Sequence, residues 1–503
     1  MEPYFKTKPY DHQLECFNIS KDKDVYAILL EQGLGKTKVV LDTVAYLIMN
    51  DEIKNGTPLI NGLFIVAPNG VHSNWIRREI PAHLVEATNY KCLEFGSSKA
   101  STKKYQEKWK ELLEHPGLAI FAMNIEALSS SKKAMNSALE FLTKRRCFMV
   151  IDESSRIKNP SSNRTKSAIK LGKKAFYRRV LTGTPVTQSP FDVFAQFMFL
   201  DSSLLGYSSF YAFKHDFGIF EKQTIKQGSG LRQYEELVKY KRLGHLQSLI
   251  LPHSYRRTKK ECLDIPDKIY QVANIQMSLE QRRLYNSMNE EGILEFEDFS
   301  VLAPSHIVKL IRLQQITGGF VPKDEGEGSP VGIPIEGPNP KLNYLMDAVE
   351  NDYHGKTIIW AKFIFEIQII VQALKQKFGS NAIVELHGRV KGENRDNSID
   401  RFQDDLDCKF LVGQQQSGIG ITLSSAQYVF YFSNPFSYEQ RYQTEDRAHR
   451  IGTKHAVVYI DLVLENSVDE RIREVLHRSR KIADKITGDS ERLNEKVYNQ
   501  STL

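Results

Sequence analysis

Ten short apolar runs, each closing on a polar or glycine-rich cluster, limit what this chain can fold into. Five lie in the first half (VYAILLEQG, GLFIVAPNG, LAIFAMN, CFMVIDESS, RRVLTGTP) and five in the second (KTIIWAKF, AIVELHG, KFLVGQQQSG, YVFYFSNP, VVYIDLV). Most lack the apolar–polar alternation of a strand with one wet face, so they suit strands covered on both sides of a parallel sheet. Helical patterns such as TKVVLDTVAYLIMN and FEIQIIVQALKQKFG fall between several of them. Strand and helix in alternation predict β-α-β units, and the two sets predict an α/β fold with two open parallel sheets. At 503 residues the chain exceeds one ordinary core, which agrees with two lobes. In such sheets ligands bind at loops past the carboxyl ends of the strands, where these polar clusters fall.

The region at about 190–320 has a different texture, with helical periodicity and aromatics (FDVFAQFMFLD, SFYAFKHDF, LRQYEELVKYKRLGHLQSLI) and few β runs. It predicts helical insertions. The resulting division is a first lobe over 1–262 with a helical insertion at about 190–255, and a second lobe over 263–485 with a helical segment at about 278–320. A C-terminal tail follows over 486–503. The Gly- and Pro-rich segment at 322–341 has little to bury and predicts a mobile surface loop. The five cysteines are scattered without a C-x-x-C pair, which argues against a disulfide framework or a zinc site of ordinary spacing. No stretch approaches the ~18–20 apolar residues that span a membrane. The N-terminus MEPYFKTKPYDHQ has no apolar signal core. These features predict a soluble intracellular chain with no membrane partner. A net charge of +7 tolerates a nucleic-acid partner without requiring one.

The stretch LEQGLGKTK sits between an apolar run and a helical pattern, as a phosphate-binding loop would. The general string G-x-x-x-x-G-K-[ST] wants glycine where this chain has Leu30. Gly33 and Gly35 can still free the backbone so that successive N–H groups point at phosphate oxygens. Lys36 would supply charge to the β- and γ-phosphates and Thr37 a hydroxyl to Mg²⁺, and the helix that follows adds the positive end of its dipole. On these residues alone an accidental Gly-Lys-Thr is an equal alternative. CFMVIDESS then places Asp152 and Glu153 directly after a buried-strand pattern. The first acid suits Mg²⁺, and the second can polarise an attacking water. In YEQRYQTEDRAHRIGT, Arg447 and Arg450 are three apart and would share one helix face, suited to a triphosphate as arginine fingers from the other lobe. An exposed helix of mixed charge stays open for that segment taken alone.

Read in order, these pieces resemble the motif series of superfamily 2 helicases, and among them the Swi/Snf-type DNA translocases, from about residue 8 to residue 485. In that superfamily the phosphate loop is commonly A-x-x-G-x-G-K-T, so Leu30 falls where alanine is common. PYDHQLECF resembles the upstream glutamine motif, which makes Gln13 the adenine reader. LFIVAPNGVHSNWIRREI resembles the next motif, IDESSRIKNPSS the D-E-x-H-x-I-K-N block, and VLTGTPVTQSP the coupling motif, with Thr182, Gly183 and Thr184. RRTKKECLDIPDK is similar to the family's basic crossover segment. ELHGRVKGENRDNSIDRF, SGIGITLSSAQYVFYFSNPFS and QTEDRAHRIGT resemble the motifs of the second lobe. The resemblance implies two RecA-like lobes in tandem, with ATP and Mg²⁺ as cofactors. It extends the ATP-binding set to Gln32, Leu34, Lys38 and Gly420, and places Gln443 with Lys36, Asp152, Glu153, Arg447 and Arg450 in the catalytic set. Ser155 stands where the family usually has His, a group that links the acid motif to the coupling motif. VTQSPFDVF departs from the common L-Q-N-N and is closer to annealing helicases and fork remodellers. The compact form fits a stand-alone bacterial or phage enzyme.

The same resemblance implies sequence-independent binding of duplex or branched DNA through its phosphates. Candidate contacts are Asn69 and Lys158 in the first lobe, and Arg389, Lys391 and Thr422 in the second. The basic clusters KKAFYRR (173–179) and RRTKK (256–260) are candidates too, with a solvated surface as the equal alternative. The function expected is ATP-driven translocation on duplex or branched DNA, such as fork remodelling, branch migration or limited unwinding. The alternatives are a strand-separating helicase on DNA or RNA, and a nucleotide-gated DNA clamp with weak hydrolysis. Against the clamp stands the presence together of Lys36, Asp152, Glu153, Arg447 and Arg450.

Overall fold

In this computed structural model the described residues are 2–55, 58–227, 230–289, 304–323, 331–390, 392–418, 421–450, 453 and 455–489. The chain divides into two units, Met1–Cys262 with Ile482–Leu503, and Leu263–Lys481.

Unit 1 is built on seven strands: β1 (Val25–Leu30), β2 (Gly62–Ala67), β3 (Tyr90–Glu94), β4 (Leu118–Asn124), β5 (Cys147–Asp152), β6 (Tyr177–Leu181) and, after a hairpin described below, β9 (Ser254–Arg257). Their order is β3-β4-β2-β5-β6-β1-β9, and every pairing is parallel. The apolar runs are the central strands, and their residues are buried on both faces: β2 and β5 have no partly exposed residue. The register aligns Ile28 with Leu181 and Leu181 with Asp152, so β1, β6 and β5 end at the same edge of the sheet.

The stretch at 190–255 is only partly helical. Helices at Asp192–Leu200, Phe210–Phe217 and Leu243–Ile250 flank an antiparallel ribbon, β7 (Gly218–Gln227) and β8 (Gly230–Tyr240). The expectation of an all-helical insertion fails because a two-stranded ribbon needs few apolar residues. At its base the paired Phe220 and Leu237 do the packing. There Phe220 and Tyr240 lie against Phe191, which also meets Phe213.

Unit 2 carries β10 (Lys268–Ile275), β11 (Phe320–Lys323), β12 (Val331–Pro334), β13 (Thr357–Ala361), β14 (Ile383–Leu386), β15 (Phe410–Gln414), β16 (Tyr428–Tyr431) and β17 (Val457–Leu464). Six of them form a second parallel sheet, ordered β10-β17-β16-β13-β15-β14. Successive residues of β13 serve two separate cores. Ile359 and Ala361 join Phe430, Ile460 and the helical Ile367 and Leu374 on one face, while Ile358 and Trp360 join Leu411, Tyr431 and Tyr459 on the other. The predicted loop at 322–341 is in part a paired ribbon, β11 with β12, whose connecting residues 324–330 lie outside the described residues. The helical segment at 278–320 includes helices Leu279–Met288 and Pro304–Thr317, and residues 290–303 also lie outside. The long helix Val468–Thr487 runs past the start of the predicted tail, of which residues 490–503 are not described. Among the described residues no helix is long and apolar enough to cross a membrane.

Candidate active site

The loop after β1 adopts the conformation its glycines permit. Gly33 and Gly35 have φ of 85° and 81°, in the left-handed region, and the helix Lys36–Asn55 begins directly after them. Lys36 Nζ donates to the carbonyl of Leu30 at 3.0 Å, so the residue that breaks the general string contributes its backbone to the lysine. Gln13 lies under the loop. Its Nε2 donates to the Leu34 carbonyl at 3.1 Å, and a Cβ at position 35 would fall 2.2 Å from that nitrogen. Leu34 is buried and Thr37 half-buried. Lys38, expected among the ATP-binding residues, has its ammonium committed elsewhere. It sits 2.8 Å from Asp42 in a buried i,i+4 pair on the buried face of the helix.

Two strands away, Asp152 ends β5 with its carboxylate buried. Oδ1 accepts from the Glu153 N–H at 2.9 Å and Oδ2 accepts from the Trp75 indole at 2.9 Å. Burial holds the Asp152 carboxyl above its usual range, opposed by the Trp75 hydrogen bond and the charge of Lys36. Glu153 has φ 50° and ψ 56°, a conformation that costs a non-glycine residue about 1–2 kcal/mol. Strain of this kind at a strand end, with Gln32 Nε2 3.4 Å from its carboxylate, marks a residue whose direction matters.

The coupling segment follows β6, between the other two strand ends. Thr182 Oγ1 accepts from the Thr184 N–H at 3.0 Å, and a Cβ at Gly183 would lie 3.1 Å from the Gln32 nitrogen. The position usually held by His is Ser155, yet the acid and coupling motifs are still tied together. Ser154 Oγ donates to Gln196 Oε1 at 2.7 Å, and Gln196 Nε2 donates to the Pro185 carbonyl at 2.8 Å. Lys158, a DNA candidate from sequence, turns its ammonium to this same segment, donating to Gln188 Oε1 at 2.9 Å and to Thr187 Oγ1 at 2.5 Å. Asp192 holds the segment's turn, accepting from the N–H groups of Thr187 and Gln188 at 2.8 Å each. Gln196 lies outside the motifs read in the sequence, and Asp192 lies in the VTQSPFDVF stretch after the coupling motif without having been given a role there.

The two basic clusters read as DNA candidates divide on burial. Arg179 is fully buried and donates to the carbonyls of Ser20, Lys23, Asp24 and Arg178, whereas Lys173 and Lys174 are exposed. Arg256 and Lys259 are buried as well, and Arg257 pairs with Glu15 at 2.9 Å. Arg179 and Arg256 therefore leave the candidate DNA surface. They lie on strands β6 and β9, whose inward faces take whatever residue sits there. Asn69 is exposed beside Gly70, whose φ is 81°.

In unit 2 the helix Tyr438–Ala448 carries Gln443 and Arg447 but stops before Arg450. The expectation that the two arginines share a helix face is corrected here. His449 leaves the helix at φ −99°, ψ 88°, its ring nitrogen 2.7 Å from the Pro266 carbonyl, and Thr453 Oγ1 donates to the Ala448 carbonyl at 3.0 Å. The arginines converge by another route. Arg447 Nη1 donates to the Ile421 carbonyl at 3.2 Å and Arg450 Nη1 donates to Thr422 Oγ1 at 2.8 Å. Gln443 is buried, and its carbonyl accepts from Arg447 Nε at 2.9 Å. The helix is anchored from beneath by Arg441, which reaches Glu445 at 2.8 Å, pairs with Asp461 and lies over the Tyr431 ring. Arg389 and Thr422 are exposed. Gly420 and Lys391 lie outside the described residues.

Fold and site together define a tandem RecA-like α/β protein whose first lobe holds a phosphate-loop site. The SNF2-related domain matches residues 10–317, and the Helicase conserved C-terminal domain matches residues 340–452. The first match alone covers more than half of the chain, which therefore belongs to the SNF2-related family, the Swi/Snf-type ATPases of helicase superfamily 2. The chain is 26% identical over 461 residues to an uncharacterized ATP-dependent helicase of Mycoplasma genitalium, covering 90% of this chain and 39% of that protein. It is likewise 26% identical over 464 residues to the SWI/SNF chromatin-remodeling complex subunit snf22 of Schizosaccharomyces pombe, covering 88% of this chain and 25% of that one. It thus spans well under half the length of these relatives. Among solved structures, the SWI2/SNF2 ATPase core of Sulfolobus solfataricus in complex with double-stranded DNA is 23% identical, covers 97% of this chain and 96% of that chain, and superposes with a TM-score of 0.41.

Proposed function

We propose that this chain is an ATP-driven motor that moves on duplex or branched DNA without reading its sequence. The observation that carries the proposal is the common edge of the unit 1 sheet. There the phosphate loop after β1, the acids after β5 and the coupling segment after β6 emerge together. They are cross-linked through Gln32–Glu153 and Ser154–Gln196–Pro185. A loop whose glycines have positive φ, followed by a lysine and a helix N-terminus, suits a polyphosphate. Thr184 Oγ1, buried without a protein partner among the described residues, adds a polar atom suited to a ligand or water.

In this reading the Gly33–Thr37 backbone and Lys36 bind the β- and γ-phosphates, Thr37 and Asp152 hold Mg²⁺, and Glu153 takes the proton of the attacking water. Magnesium, when bound there, would supply neutralising charge to the phosphates. Gln13 sets the position of the loop through the Leu34 carbonyl and is the group proposed to read adenine. Gln443, Arg447 and Arg450 of unit 2 are proposed as residues that act in hydrolysis. Asn69, Lys173, Lys174, Arg389 and Thr422 are the proposed phosphate contacts, joined by Lys391 outside the described residues. Binding through such contacts falls steeply as salt rises. Fork remodelling or branch migration in an intracellular setting is the finer role proposed.

The test is ATP turnover titrated with single-stranded, duplex and four-way-junction DNA, alongside displacement of a triplex-forming strand. Stimulation by duplex and triplex displacement are expected. Displacement of paired strands from a tailed duplex without any triplex displacement favours the strand-separating helicase, and absence of stimulation favours the clamp. Lys36→Ala and Glu153→Gln are expected to abolish turnover while DNA binding largely persists.

A further inference from the structure

The segment that follows β2 crosses the carboxyl edge of the sheet towards the neighbouring strand, β5. It begins at the exposed Asn69–Gly70 tip, forms one short helical turn at Val71–Asn74 and continues as a π-helix at Trp75–Glu79. A π turn inserts one residue into the helical ladder and so re-aims the side chains around it, and such turns concentrate at functional sites. Here it directs Trp75, about 1% exposed, so that the indole N–H meets Asp152 Oδ2 at 2.9 Å. The other oxygen of that carboxylate is held by the Glu153 N–H. The two bonds fix the plane of the carboxylate. One comes from its own strand end, and the other from a segment whose tip lies at the surface.

We infer that Trp75 is a positioning residue for Asp152, and that through it the orientation of the acid responds to what binds the Asn69–Gly70 tip. The inference rests on the proposed reading of Asp152 as the magnesium acid and of the tip as a DNA-phosphate contact. An indole suits this task because it can donate one hydrogen bond and accept none, so it can orient a carboxylate without competing for the cation. The segment between tip and indole is only a few residues of continuous hydrogen-bonded turn, from Val71 N–H on the Pro68 carbonyl to the Ile80 N–H on the Trp75 carbonyl. A displacement at one end is therefore carried to the other by backbone rather than by a loose loop.

The test replaces Trp75 with Phe and, separately, with β-(3-benzothienyl)alanine, which keeps the two-ring shape but exchanges the N–H for sulfur. Both proteins are compared with wild type for duplex binding by anisotropy, for ATP turnover across a magnesium titration, and for intrinsic fluorescence on adding duplex DNA without nucleotide. The expectation is unchanged duplex affinity, DNA-stimulated turnover lowered about tenfold, the scale of one hydrogen bond to a charged group, and a raised magnesium requirement. Duplex DNA should also shift the emission of wild type and not that of the Phe variant. If the benzothienyl protein keeps full DNA stimulation and the wild-type magnesium requirement, the inference is overturned while the motor reading stands. If wild type itself shows neither DNA stimulation nor an emission shift, the motor reading fails first. Should the Phe variant not fold, the benzothienyl protein decides the matter.

Discussion

Arg256 and Asp489 form a two-pronged ion pair inside unit 1, with Nη2 2.8 Å from Oδ2, Nε 3.1 Å from Oδ1, and both side chains buried. The third guanidinium nitrogen, Nη1, donates to the carbonyls of Leu29 and Gly183 at 2.8 Å each. One arginine thus joins the strand before the phosphate loop to the coupling segment, and a residue just beyond the long helix Val468–Thr487 holds that arginine in place.

Removing one partner of a buried pair leaves the other charge without compensation, at a cost of about 3–5 kcal/mol. Asp489→Asn is expected to lower the stability of unit 1 by about 3 kcal/mol in urea unfolding, and to lower ATP turnover at temperatures where the protein stays folded. Arg256→Lys should cost less, since it keeps the charge but cannot span both carbonyls and the carboxylate. Stability equal to wild type in Asp489→Asn would show that the pair is solvated in practice.

Gly35 carries a second prediction. Alanine there faces a φ of 81° and an amide nitrogen of Gln13 at 2.2 Å from the new methyl group. Gln13 is the end of a flexible side chain and can move aside, so the backbone strain is the term that persists, about 1–2 kcal/mol. Gly35→Ala is expected to lose affinity for inorganic triphosphate, which carries no adenine for Gln13 to read, and Gln13→Ala in the same chain should not restore it. Recovery in the double variant would place the fault in the Gln13 contact instead.

The division within KKAFYRR gives a third. Arg179→Leu removes the guanidinium donor from four backbone carbonyls, of which those of Ser20 and Asp24 keep a backbone N–H, and is expected to destabilise unit 1 by about 3 kcal/mol. Lys173→Ser with Lys174→Ser should change stability by less than about 0.5 kcal/mol. It should weaken duplex binding and flatten its dependence on salt. A salt slope identical to wild type would remove both lysines from the DNA surface.

These contrasts explain what was legible in the sequence. All ten apolar runs are strands; nine are interior strands of the parallel sheets, where cover on both faces shows in the composition, and the tenth, β14, is an edge strand. Of the two parallel sheets, the strands that escaped notice are β3, β9 and β10, all at sheet edges: β3 and β10 are only partly buried, and β9 buries Ser254 and Arg256, so none shows an apolar run. The antiparallel ribbons β7–β8 and β11–β12 escaped as well. The same logic holds at the site. Gly33, Gly35, Lys36, Asp152, Glu153 and Thr182–Thr184 were readable because each sits in a contiguous string at a strand end. Trp75, Gln196 and Arg256 were not, since what gives them a role is a partner 77, 42 or 233 residues away in the chain. Basic composition misled at Arg179 and Arg256, where charge satisfies buried backbone and carboxylate rather than phosphate.

Lys362 supplies the last prediction, and it concerns pH. It follows β13 in unit 2, its ammonium donating to Gln314 Oε1 at 2.8 Å and lying 3.0 Å from the centre of the Phe436 ring. Burial lowers it from 10.5 to about 7, and the Glu366 carboxylate opposes the shift only in part. Between about pH 7 and pH 10.5 the unfolded chain therefore binds a proton that the folded chain does not. Stability rises with pH wherever the unfolded state holds more protons, so the Lys362 contribution improves through this window and is least favourable below pH 7. Lys362→Met removes the titration. The stability of wild type minus that of the variant, from urea unfolding, is expected to rise by about 1–2 kcal/mol between pH 7 and pH 9, part of the full linkage being screened at this half-buried stem. A difference that stays level across that range would mean that Lys362 remains charged in the folded protein.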